Sequence, residues 1–141
     1  MYSCNSCQQK NETAPNINYK KVENARYHFS FSIPENWNAL DISDNGDGYF
    51  ISTPDSGAKI KVYGEMIVNG NKQFLSANQA MHEFTFNDNY VGKLYNVDST
   101  EVLISRSDSL IRVNAYLNPA NTSEPELEEQ FFKMAKSLKI N

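Results

Sequence analysis

Cys4 and Cys7 are the only cysteines in the 141-residue chain, and both stand within its first seven residues. Their Cys-x-x-Cys spacing suits three chemistries. A redox pair sits at the start of a helix that follows a strand, where the helix dipole lowers the thiol pKa. Cys4-Asn5-Ser6-Cys7 has only Met1-Tyr2-Ser3 ahead of it and polar chain behind. A zinc site takes four ligands, usually with a second Cys or His pair. The two histidines, His28 and His82, are far apart and not in ligand spacing. Lipid attachment needs a small residue before the modified cysteine and a solvated spacer after it. Ser3-Cys4 and the polar run to about residue 22 have that form, although Tyr2 is an unusual residue at its position. The preferred reading makes Cys4 the lipidated residue and expects an apolar signal segment upstream of Tyr2 in the full gene. An inert tail or an adventitious disulfide is the alternative.

The stretch Asp41-Ile42-Ser43-Asp44-Asn45-Gly46 resembles the first half of a calcium loop. The twelfth position is Ser52, where a bidentate Glu is needed, and no helical patterns flank it. Asn45-Gly46 and Asp47-Gly48 are instead two strong turn pairs, so the stretch is expected to be a hairpin turn. His28 falls on the polar side of a strand pattern and His82 just off an apolar stripe, and both read as surface residues. No Gly-x-Ser-x-Gly nucleophile motif occurs. The sequence thus assigns no catalytic, metal or cofactor-binding residues, and the expectation is that the protein is not an enzyme. A net charge of −4 offers no basic stripe for nucleic acid, and no run of 18 apolar residues spans a membrane.

The elements around these residues follow from periodicity. Residues 1–23 read as a flexible tail, a lipoprotein spacer, and residues 24–141 as one folded domain. Tyr27, Phe29, Phe31 and Ile33 alternate with His28, Ser30 and Ser32, the period of a strand, which Pro34 ends. Further strand patterns are "GYFIST", "AKIKVYGEMIV", residues 90–97, "TEVLISR" and "SLIRVNAYL", the last two as a hairpin around Ser107-Asp108. Ala77, Ala80, Met81 and Phe84 recur at helical spacing behind a Ser76/Gln79 capping box, so residues 76–86 read as a short helix. Ser123 and Glu126 form a second capping box. The helix after it has early glutamates and late lysines, as its dipole favours, and Leu127, Phe131, Met134, Ala135 and Leu138 on its buried side. The expected fold is α+β: an antiparallel sheet of about six strands packed with two helices.

"FSFSIPENWN" and the closing "FFKMAKSLKI" are similar to the opening strand and the terminal helix of PsbP-like domains, and the order of elements between them agrees. The resemblance to the PsbP-like superfamily, which includes bacterial envelope lipoproteins of the DcrB type, covers residues 24–141. It implies a layered PsbP-like domain, no catalytic residues and no cofactor. It also implies a binding or assembly role in the cell envelope, on the periplasmic or extracellular side. Together with Cys4 it gives the expected function: a non-catalytic lipoprotein, held to the membrane by its lipid alone, that binds an unidentified protein partner or supports envelope assembly. A small-molecule or ion-binding envelope module is the alternative. Tyr63, Leu103 and Tyr116 fall on the outward side of their strands. They are the expected partner surface unless the helix at 76–86 covers them.

Overall fold

Phe29, Phe31 and Ile33 point the same way from the strand Phe29–Pro34, and all three are buried at its inward face. The computed structural model describes residues 17–41, 45–54, 60–67, 81–97, 101–118 and 125–141. Its strands are β1 (Tyr19–Asn24), β2 (Phe29–Pro34), β3 (Asn38–Leu40), β4 (Gly48–Ser52) and β5 (Ile60–Met66), then β6 (Met81–Thr85), β7 (Val91–Val97), β8 (Glu101–Ser107) and β9 (Ile111–Leu117). Helix α1 (Pro125–Lys136) and the short β10 (Lys139–Ile140) follow. A three-stranded sheet runs β1-β2-β10, and a seven-stranded sheet runs β3-β4-β5-β9-β8-β7-β6. Every strand pairing among the described residues is antiparallel.

One core fills the space between the inner face of the large sheet and the layer made by α1 and β2. Ile60 and Val62 of β5 pair with Leu117 and Ala115 of β9, and all four are buried. Leu127, Phe131, Met134 and Ala135 of α1, with Leu138 just beyond it, close the core from the other side. Each is the residue expected for the helix's buried stripe. Burying a large apolar side chain is worth roughly 1.5–3 kcal/mol. The alternation of β5 and β9 therefore fixes which face of the large sheet turns inward.

The architecture is α+β and antiparallel, but it differs from the expectation in strand and helix number. Ten strands in two sheets and one helix occur among the described residues, against about six strands and two helices. Met81–Thr85, expected to end a short helix, is instead edge strand β6, paired with β7. Residues 76–80 lie outside the described residues. The strand explains Phe84 and Phe86 better than the helix does, because both are buried and their rings meet edge-to-face at 5.0 Å. The boundary expected between residues 23 and 24 falls inside a strand, since β1 starts at Tyr19 and pairs along its whole length with β2. β1 has no apolar alternation. Its Lys20 and Lys21 are exposed, as suits an edge strand that must not pair with another chain. Tyr27 and His28, expected in β2, lie in the turn before it, where His28 adopts a φ of 55°. Asn24 organises that turn by accepting from the Tyr27 N–H at 2.8 Å.

Candidate functional site

The outward residues of the seven-stranded sheet fall into ordered rows. Leu40 stands opposite Phe50, Phe50 opposite Lys61, Lys61 opposite Tyr116, Tyr116 opposite Leu103, Leu103 opposite Tyr95, and Tyr95 opposite Met81. Directly paired residues share a face, so these side chains form one row across all the strands of the sheet. Six are apolar or aromatic. The exception, Lys61, holds its Nζ 5.4 Å from the Phe50 ring centre and 5.7 Å from that of Tyr116. The row's ends are open, with Leu40 55% and Met81 51% exposed, while Leu103 near its middle is only 6% exposed.

The next row is polar: Gly48, Tyr63, Asn114, Ser105, Lys93 and Glu83. Gly48 is required there, because a Cβ would lie 2.5 Å from that of Tyr63. Asn114 and Ser105 are buried although they face outward. Beyond them Glu65 opposes Arg112, and the Glu65 Oε2 accepts from Arg112 Nε at 3.3 Å and from Asn114 Nδ2 at 2.8 Å. Arg112 is buried, and its Nη2 makes no hydrogen bond among the described residues. Tyr63 borders this cluster. Burial pushes its hydroxyl above the ordinary 10.0; Glu65 adds to the rise and Arg112 opposes it.

Of the expected partner residues, Tyr63 is at the surface and Tyr116 is half-buried. Leu103 is buried and cannot meet a partner directly; it stands between Tyr116 and Tyr95 in the row. Sequence reasoning put Lys61 on the outward side but missed Leu40, Phe50 and Tyr95 as members of the same face. Strand parity places each on an outward position, but only the strand order sets them side by side. Arg112, on the same outward face, is buried and held in by Glu65.

The other candidate chemistries fare differently. Cys4 and Cys7 lie outside the described residues, as do residues 42–44 of the loop with calcium-like spacing. Within that loop the Asn45 carbonyl accepts from Arg26 Nη1 at 2.6 Å, and the Gly46 carbonyl from Asn24 Nδ2 at 2.9 Å. Gly46 takes a φ of 70°, the left-handed geometry a turn glycine supplies without strain. Both carbonyls are thus engaged by protein donors, one of them cationic. Among the described residues no group of three His, Cys, Asp or Glu side chains is placed to hold a metal. His28 and His82 are both exposed.

No family profile and no curated protein matches the chain in sequence. Solved structures do match in shape. The solution structure of cyanobacterial PsbP (CyanoP) from Synechocystis sp. PCC 6803 superposes with a TM-score of 0.54 at 10% identity, covering 92% of this chain and 96% of that one. A Bacteroides thetaiotaomicron protein, solved by crystallography at 1.50 Å, gives a TM-score of 0.51 at 11% identity. It aligns over 86% of this chain and 48% of its own. The fold is PsbP-like. At these identities the likeness is one of architecture.

Proposed function

We propose that the protein is a non-catalytic lipoprotein of the bacterial cell envelope whose PsbP-like domain binds a protein partner through the outer face of its seven-stranded sheet, or supports envelope assembly through that face. The observation that carries this reading is the row from Leu40 to Met81, an apolar and aromatic band with open ends on a face bordered by the exposed Tyr63. Aromatic residues exposed beside aliphatic ones are enriched in protein interfaces. Cys4 serves as the lipid anchor. The chain between it and β1 spans at most roughly 50 Å when extended, enough to hold the domain clear of lipid headgroups. The ionisable groups of this face act in recognition, not in bond-making.

A second reading, a small-molecule or ion-binding envelope module, is favoured by one observation: the buried Arg112 Nη2, which has no hydrogen-bond partner among the described residues. Such a donor suits an oxygen of an anionic ligand.

The test is made in cells carrying the full gene. A fatty-acid analogue should label the wild type but not Cys4→Ser, and the wild type should fractionate with membranes. A photo-crosslinker at Tyr63 should give one discrete protein adduct, and one at the opposite, helix-bearing layer (Glu128) should not. An unlabelled protein in the cytosolic fraction refutes the lipoprotein reading. Absence of any adduct from Tyr63, with binding of a small anion lost in Arg112→Met, favours the second reading.

A further inference from the structure

We infer that the β3-β4-β5 end of the outer face takes a peptide segment in which an acidic side chain is flanked by apolar ones, with Lys61 as the recognising cation. The inference rests on the partner-binding reading and names what the partner presents. Among the described residues the two other cations of this face have carboxylates as cross-strand neighbours: Arg112 bonds Glu65, and Lys93 stands opposite Glu83. Lys61 stands between Phe50 and Tyr116 on its two sides, and no acidic group of the described residues pairs with it. The rings attract the ammonium and hold it in place without neutralising it. A carboxylate arriving there meets a positioned cation with apolar surface on both sides, which excludes water and strengthens the pair. Leu40, 55% exposed, and Tyr63, 36% exposed, supply apolar contact around it.

Among the described residues, one lysine held between two rings, and no cluster of basic residues, distinguishes this surface from a membrane-binding one. Anionic bilayers attract clusters of basic residues, each adding a small increment. Here Glu65, Glu83 and Glu101 share the face, and the chain is net acidic. One geometrically fixed cation in an apolar row suits one carboxylate on a protein.

The probe is a library of random 12-residue peptides on phage, selected against the wild-type chain. Selected sequences should carry Asp or Glu beside apolar residues. Their affinity, measured as synthetic peptides, should fall at least tenfold in Lys61→Met, stay within threefold in Lys61→Arg, and weaken with added salt. Lys61→Met should keep the wild-type thermal midpoint, since its side chain extends the apolar row. Peptides without acidic residues, or equal binding to Lys61→Met, overturn the inference. So does binding to vesicles of phosphatidylglycerol that is lost in Lys61→Met while no peptide is selected, which would assign the face to lipid. The Tyr63 adduct in cells stands or falls separately: with the adduct present and the peptides non-acidic, the partner-binding reading survives and this one does not.

Discussion

Arg106 grips Asp88 with both prongs of its guanidinium, Nη1 to Oδ1 at 3.0 Å and Nη2 to Oδ2 at 2.8 Å. The same Nη1 donates to the Leu138 carbonyl at 2.8 Å, and the guanidinium lies 4.9 Å from the Phe86 ring centre and 4.4 Å from that of Tyr90. Asp88 sits in the β6-β7 turn and Leu138 just past α1. This buried arginine therefore ties the edge hairpin to the end of the helix. Arg106→Met should destabilise the fold by about 2 kcal/mol or more, measured by urea unfolding. That is less than the roughly 3–5 kcal/mol lost when a fully buried pair is broken, because a third of the Asp88 side chain remains in water. An effect below about 0.5 kcal/mol would show that the pair is dispensable.

The pH dependence of that latch has a definite sign. Hydrogen bonding to Arg106, foremost among the causes, holds the Asp88 carboxyl below its ordinary 3.8. A depressed carboxylate stabilises the folded state fully above its unfolded pKa, and the contribution disappears as pH falls through the lower folded pKa. The stability difference between wild type and Asp88→Asn should be constant from neutral pH down to about 5 and should shrink below about 4. A difference that grows on acidification would contradict the assignment.

Phe131 is fully buried in the middle of α1, its ring 5.5 Å from that of Phe132. Phe131→Ala should cost about 3–5 kcal/mol, as core phenylalanine truncations do. Chemical denaturation gives the value directly, and a loss under about 1 kcal/mol would mean that the cavity is filled by rearrangement.

A chain beginning at Ala25 lacks β1 and the side chain that arranges the turn before β2. Asn24 accepts from the Tyr27 N–H and donates to the Gly46 carbonyl, and Tyr49 donates from its hydroxyl to the Glu23 carbonyl. Against a chain beginning at Ile17, its thermal midpoint should fall by more than about 4 °C. Equal midpoints would show that β1 adds nothing to the fold.

The turn around Asn45-Gly46 should not bind calcium below millimolar concentration, since two of its carbonyls already accept from Arg26 and Asn24. Calorimetric titration tests this. Micromolar affinity removed by Asp41→Ala would require those bonds to break on binding.

Where one face of an element is buried and its period is clean, the residues alone place it. Ile60 and Val62, Val113 and Ala115, and Phe131, Met134 and Ala135 turn inward as their spacing requires, because apolar burial is local in pattern even when its partners are distant. β1 escaped that logic: "YKKVEN" is held by backbone bonds to β2, which leave no mark on side-chain type. Ala77, Ala80, Met81 and Phe84 have helical spacing, yet Met81–Thr85 is strand β6. The alternating Phe84 and Phe86 before Asn87-Asp88-Asn89 were the competing signal for a strand and turn. The candidate site was half legible. Parity put Tyr63 and Tyr116 on the outward side, but it could not show that Leu103 would be buried, nor that Leu40, Phe50 and Lys61 would line up with Tyr116. Lateral neighbours in a sheet are set by strand order and register. These depend on pairings between segments up to tens of residues apart, and only the folded chain brings Lys61 between the rings of Phe50 and Tyr116.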